Sequence, residues 1–235
     1  MMHVETEAPV IGVVPPLPPG STDAPITPPK GKHLVLSGLD WDNYRRISEA
    51  STELKVRITY DQGRLEIMGS SLIHERWNEL LGMIVRVLAS ETRQTLCSGG
   101  STTLDRDDLD RAIEPDKCFY LENEPKIRGN RKIDLHKDPP PDLAIESEVS
   151  QRAIKQLPVY EAIRVPEVWR TDGNRVTFHV LQPDGKYAVA EYSRSFPFLR
   201  SQDLTPFLLR WGQVDEETLL QEFRAWVKLR LSEKQ

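Results

Sequence analysis

Apolar residues along this chain fall into two spacings, and each change of spacing predicts a change of element. Trp41, Tyr44 and Ile47 recur every third residue and predict a short helix over about 40–49, reached through Leu36-Ser37-Gly38-Leu39-Asp40. Val56, Ile58 and Tyr60 then alternate with polar residues. Asp61-Gln62-Gly63 turns the chain, and Leu65, Ile67 and Met68 complete a predicted β-hairpin. Ser70 or Ser71 can cap the next helix, where Ile73, Trp77, Leu80, Leu81, Ile84, Val85 and Leu88 form one stripe over about 72–93. Strands are predicted at about 95–103, 113–121 and 142–148, the last behind the breaker Pro139-Pro140-Pro141. A helix over about 151–163 leads to a strand at 165–170 and a hairpin at 175–182 and 186–192 around Gln182-Pro183-Asp184-Gly185. Leu219, Leu220, Phe223, Trp226, Val227 and Leu231 predict an amphipathic helix over about 215–231.

The order helix, three strands, helix, strand predicts one mixed α/β domain built on a central sheet with helices packed on it. Composition sets its bounds. Eight of the 18 prolines fall in the first 30 residues, so 1–33 reads as a disordered, proline-rich tail whose PxxP spacing also suits a partner's groove. Residues 34–210 hold the domain, and 211–235 hold the C-terminal helix, packed on the domain or on a partner. No run approaches 18 uncharged apolar residues, which rules out a spanning helix and predicts no membrane association. The N-terminal apolar stretch has no basic segment before it and is broken by prolines, so no secretory signal is expected. Two cysteines, Cys97 and Cys118, are too few for a disulfide scaffold and read as reduced thiols of a cytoplasmic protein. The net charge of −5 argues against a general basic coat, yet leaves room for an enzyme that touches DNA locally.

Most chemistry-bearing motifs are missing. There is no phosphate loop, no dinucleotide fingerprint and no nucleophile elbow, and His74-Glu75 has no second histidine one helical turn on. Cys97 and Cys118 form no CxxC, so a structural zinc site is not expected. What remains is carboxylates in apolar strands: Glu114-Pro115-Asp116 beside Ile113 and Cys118-Phe119-Tyr120, and Asp142 and Glu146 flanking Leu143-Ala144-Ile145. An acid at the end of an apolar strand must face water, a cation or a hydrogen-bond donor, because burying it unpaired is costly. If the strands are neighbours, Asp116 and Glu146 converge, and two carboxylates with an open position suit a hard cation such as Mg2+. The alternative is plain solvation or an ion pair with Lys117 or Lys155. Lys155, on the following helix, can reach back to stabilise charge on a phosphate, or simply be solvated.

Four segments in order carry a resemblance: YDQGRLEIMGSSLIHE (60–75), GSTTLDRDDLDRAIEPDKCFYLEN (100–123), PPPDLAIESEVS (139–150) and IKQLPVYEAIRVPEVWRTDG (154–173). Together they resemble a restriction endonuclease family common in cyanobacteria, long known as a domain of unknown function, within the PD-(D/E)XK nuclease superfamily. The resemblance spans about 36–200. It implies an α/β (α+β) fold with a restriction-endonuclease-like core, a mixed central sheet flanked by helices, and an added N-terminal helix and hairpin. It also implies that Asp116 and Glu146 are metal ligands, that Glu66 adds a carboxylate to the same cation, and that His74 contacts phosphate or packs its helix. The lysine expected two residues after Glu146 is Glu148 here, with Ser147 between; the family often carries that lysine on the following helix, where Lys155 stands. Arg164 replaces a common glycine before VPEVW.

The resemblance thus implies a metal-dependent endonuclease-like phosphodiesterase acting on DNA, with Mg2+ (or Mn2+) as cofactor and Asp116, Glu146, Lys155 and Glu66 in the site. The dense basic patch Lys126, Arg128, Arg131 and Lys132 is the candidate nucleic-acid contact, or else a solvated loop. Nucleases of this type often pair, so a homodimer seamed by the C-terminal helix with Trp226 is an expectation by analogy. Two rivals stand beside this reading. One is a catalytically silent nucleic-acid or protein binding module on a nuclease fold, signalled by Glu148. The other is an interaction protein that uses the proline-rich tail and the C-terminal helix.

Overall fold

The computed structural model describes residues 33–52, 54, 56–148 and 152–233. All but the last position of the predicted tail lies outside the described residues. The chain runs β1 (His33–Ser37), α1 (Trp41–Ala50), β2 (Val56–Asp61), β3 (Arg64–Gly69), α2 (Leu72–Glu91), β4 (Cys97–Gly100), β5 (Leu104–Arg106), β6 (Arg111–Ile113) and β7 (Lys117–Tyr120). It continues with α3 (Glu124–Ile127), β8 (Leu143–Ser147), α4 (Gln156–Ile163), β9 (Glu167–Thr171), β10 (Val176–Leu181), β11 (Tyr187–Ala190), α5 (Ser201–Arg210) and α6 (Glu216–Ser232). The expected order of helix, meander, helix and strand is present as α2, β4-β7-β8, α4 and β9 in an α+β fold.

The strands form two sheets, where the pattern of the sequence suggested one. A five-stranded antiparallel sheet has the order β1-β3-β2-β6-β5, and a six-stranded sheet has the order β11-β10-β9-β8-β7-β4. Among the described strands, only β8 and β9 pair in parallel, with α4 in the crossover between them. The stretch read as one strand over 113–121 is two strands in different sheets. Pro115 has no N–H to offer a ladder. Glu114 beside it uses its side chain instead: Oε2 accepts from Ile58 N (3.0 Å) and Oε1 from the Thr103 hydroxyl (3.2 Å). The chain therefore leaves the small sheet at Ile113 and enters the large one at Lys117, and Asp116 sits at the crossing.

Helix caps follow the sequence closely. Ser71 accepts from His74 N, Asp40 from Asn43 N and Asp215 from Thr218 N, each satisfying an orphan donor of the first turn. The large sheet is covered on one face by α2, α5 and α6, where Leu81, Ile84, Val85 and Leu88 meet Phe119, Ile145, Trp169, Phe178 and Phe223. Its other face packs Ala144 and Val168 against Val159, Tyr160 and Ile163 of α4, with Leu104 and Ile113 of the small sheet closing that core. The stacked rings of Tyr44 and Tyr60, 4.7 Å apart, join α1 to the small sheet. The apolar face of α6 lies against α2 and α5 within the same chain, with Phe207 of α5 and Phe223 of α6 edge to face at 4.9 Å. Among the described residues, no helix is long and apolar enough to cross a membrane.

The turn between β9 and β10 is locked onto the start of α2. Gly173 adopts φ +85°, and a Cβ there would lie 2.0 Å from the buried ring of Trp77. Gly173→Ala combines a left-handed backbone with overpacking, each costing about 1–2 kcal/mol or more. It is expected to lower unfolding free energy by at least about 2 kcal/mol, measured by urea denaturation, with an Asn174→Ala control close to wild type.

Candidate active site

The site is assembled by strand register. β7 and β8 pair Lys117 with Ile145, Cys118 with Ala144 and Phe119 with Leu143. One more position of the same register sets Asp116 opposite Glu146. β8 and β9 then pair Glu146 with Arg170, so an acid, an acid and an arginine stand in a row across three strands. Asp116 and Glu146 are 3% and 1% exposed, which removes water as their main source of stabilisation.

Asp116 is held from two sides. Its Oδ2 accepts from His74 Nε2 (2.9 Å) and from the backbone N–H of Ser147 (2.8 Å). His74 Nδ1 faces the Ser70 hydroxyl (3.1 Å) and the Asn78 side-chain amide nitrogen (3.2 Å), and Asn78 Oδ1 accepts from the Ser147 hydroxyl. Asp116 Oδ1 is different: it is buried with no hydrogen-bond partner. The nearest cationic nitrogens are Arg57 Nε at 3.7 Å and Arg152 Nη2 at 3.9 Å. Burial pushes the Asp116 carboxyl up, but His74, Arg152 and the Ser147 N–H outweigh it and hold the group below the usual aspartate range.

Glu146 accepts from the Tyr160 hydroxyl through Oε1, and Arg152 Nη2 lies 3.3 Å from Oε2. One guanidinium nitrogen thus sits between both acids. Burial and the charge of Asp116 raise the Glu146 carboxyl to about 7, against 4.5 for an ordinary glutamate. Burial, and then Glu146 itself, push the Tyr160 hydroxyl well above its ordinary value, so it stays a donor.

The other expected site residues take separate places. Glu66 is 1% exposed, and its two oxygens accept from Ala153 N (2.8 Å) and Ile154 N (3.2 Å). Both oxygens thus anchor the segment that carries Arg152 to the small sheet. Lys155 is the exposed N-cap residue of α4 and forms no ion pair among the described residues. It lines a cleft of about 780 Å³ together with Glu148, Arg152, Gln156, Arg170 and Asp172. Glu148 forms an ion pair with Arg170. Lys126, Arg128, Arg131 and Lys132 are exposed but belong to the excursion that joins the far ends of β7 and β8, roughly 13 Å or more from the acids at 3.3 Å per residue. Lys126 is bonded to Asn123, and Arg128 is paired with Glu124. The structure does not bring this patch to the site.

Sequence reasoning missed Arg57, Asn78, Arg152, Tyr160 and Arg170. Tyr160 and Arg170 lie inside a family-like segment but at positions that periodicity reads as core and strand. Arg152 had no local signal, since its role depends on the fold of residues 152–154 against Glu66.

The donor set fits a divalent cation in part. Two buried carboxylates meet near one point, and one oxygen, Asp116 Oδ1, lacks any hydrogen bond, which is the arrangement a hard cation with oxygen ligands relieves. They are not a three-ligand cage. Among the described residues, the one group of three acidic or histidine ligand atoms within 4.8 Å of one another is Asp107, Asp108 and His136, all exposed. Asp108 there is paired with Arg106 and Asp107 with His136, so its ligand atoms already have partners.

The raised Glu146 carboxyl has a measurable consequence. The folded chain keeps this proton up to about pH 7, whereas the unfolded chain releases it near 4.5. Glu146 therefore contributes a loss of stability as pH rises through that window. Thermal unfolding in EDTA is expected to fall more steeply between pH 5 and 8 for wild type than for Glu146→Gln; equal slopes would contradict the assignment.

No curated protein matches the chain. A crystal structure described as a putative nuclease belonging to DUF820, from Anabaena variabilis, is similar at 15% identity and a TM-score of 0.44, covering 79% of this chain and 99% of that one. A family model described as "Putative restriction endonuclease" (Uma2) matches residues 41–214, about three quarters of the chain. On that match, the chain belongs to the Uma2 family.

Proposed function

We propose that the protein is a metal-dependent endonuclease that hydrolyses phosphodiester bonds in DNA, with Asp116 and Glu146 holding Mg2+ or Mn2+. The observation that carries this reading is the buried Asp116 Oδ1 without a hydrogen bond, facing Glu146 across adjacent strands. Membership in a family described as restriction endonucleases supports the choice of substrate. When bound, the cation supplies Lewis-acid polarisation of the phosphate and lowers the pKa of a water.

The chain's own residues do the rest. His74 and the Ser147 N–H fix Asp116 through Oδ2, which leaves Oδ1 turned to the site. Tyr160 fixes Glu146 through Oε1. Glu66 holds residues 153–154, so that Arg152 stays beside both acids in a region from which water is largely excluded. Phosphodiester hydrolysis needs a barrier reduction on the order of 15–20 kcal/mol. A single well-placed donor supplies about 3–4 kcal/mol, so the reaction needs the cation together with several cationic side chains at the cleft.

A second reading has one observation in its favour. Glu148 stands at the lysine position and Arg152 already bridges the two acids, as expected of a binding module that has lost cleavage. Nicking of supercoiled plasmid separates the two. Wild type is expected to nick in Mn2+ or Mg2+ and to stop in EDTA, and Asp116→Asn to be slower by at least about 100-fold. Replacing Lys126, Arg128, Arg131 and Lys132 together by alanine is expected to leave the rate near wild type. Undiminished nicking by Asp116→Asn would reject the proposed site, and metal-independent DNA binding without nicking would favour the module.

A further inference from the structure

We infer that Arg170 on β9 is the phosphate-binding cation of this site, supplying from the neighbouring strand the charge that a lysine at position 148 would have supplied. The inference rests on the nuclease reading above and assigns a residue that the sequence analysis gave to Lys155. Parallel pairing puts Arg170 directly beside Glu146. Adjacent strands lie about 4.8 Å apart, and paired positions point to the same face, so Arg170 shares the face of Glu146 and of Glu148 two residues on. Lys155 reaches the same cleft from the exposed N-terminus of α4, with no residue holding its ammonium among those described.

The Arg170 side chain is constrained as a bound group would require. Its Nε is buried and has no hydrogen-bond partner, while its Nη2 is paired with Glu148. The same guanidinium lines the cleft beside Arg152 and Lys155. A guanidinium offers a planar fork of donors that matches two phosphate oxygens, and the Arg170 side chain is partly exposed at the cleft. Glu148 is more than a third exposed, so its pairing with Arg170 is weakened by solvent and is the contact a phosphodiester displaces. In this reading Glu148 parks Arg170 in the DNA-free protein.

The test uses the full chain with Arg170→Met, Arg170→Lys, Lys155→Met and Glu148→Gln. Plasmid nicking is followed in Mn2+, binding of fluorescein-labelled duplex DNA by anisotropy in Ca2+, and folding by thermal melting. Arg170→Met is expected to melt near wild type, to bind DNA more weakly and to nick at least about 100-fold more slowly, with partial recovery in Arg170→Lys. Glu148→Gln is expected to bind DNA more tightly than wild type, and Lys155→Met to lose clearly less activity than Arg170→Met. Arg170→Met nicking like wild type, or Lys155→Met carrying the loss instead, would overturn the inference. If wild type itself never nicks, the nuclease reading fails, and the anisotropy series decides alone: equal affinities for wild type, Arg170→Met and Glu148→Gln overturn the assignment.

Discussion

Two carboxylates placed face to face in a buried position repel each other and have lost their water, and most of the polar architecture of this protein answers that problem. Asp116 and Glu146 are brought opposite by the register of β7 and β8. A single neutral hydrogen bond contributes about 1 kcal/mol net and cannot compensate a buried charge, so each acid has several partners. Asp116 receives His74 and a backbone N–H, Glu146 receives Tyr160, and Arg152 stands between them. Even so, one oxygen stays without a hydrogen bond and one carboxyl is driven up to about 7. An acid pair left incompletely satisfied is where the proposed cation is expected to act.

The same constraint explains the joining of the two sheets. Pro115 separates β6 from β7 and delivers Asp116 to the start of β7 in the large sheet, while Glu114 seals the break against Ile58 and Thr103. The small sheet then supplies Arg57 toward Asp116 and Glu66 toward residues 153–154. α2 brings His74 and Asn78 from the opposite face. Each side of the site thus belongs to a different packed element, and no single loop carries it.

Elements with a long hydrophobic period were legible in the sequence. α2, α6 and the β2-β3 hairpin appear within a few residues of where spacing put them. The second sheet was not legible, because Ile113 and Cys118-Phe119-Tyr120 read as one apolar run, and β5 is only three residues long. α5 was hidden by Pro206 in its interior. At the site, the strand-end acids and the family-like segments pointed to Asp116, Glu146 and His74, and the structure puts these together. Glu66 kept its place near the site but turned to the backbone, since a carboxylate can satisfy donors as well as cations. Arg152 and Arg170 were out of reach, because their importance comes from strand register and from a crossover that no local pattern encodes. Arg164 shows the reverse: the family's usual glycine there matches the left-handed backbone (φ 64°) that this arginine adopts at the end of α4.

The central claim is that Asp116 and Glu146 share one divalent cation, held against the charge of the Arg152 guanidinium beside them. The most direct measurement is a Mn2+ titration followed by electron paramagnetic resonance, on wild type, Asp116→Asn and Arg152→Gln at pH 8. The account predicts one bound Mn2+ per chain in wild type, its loss in Asp116→Asn, and tighter binding in Arg152→Gln because the competing positive charge is gone. Retention of the same site in Asp116→Asn, or weaker binding in Arg152→Gln, would contradict it.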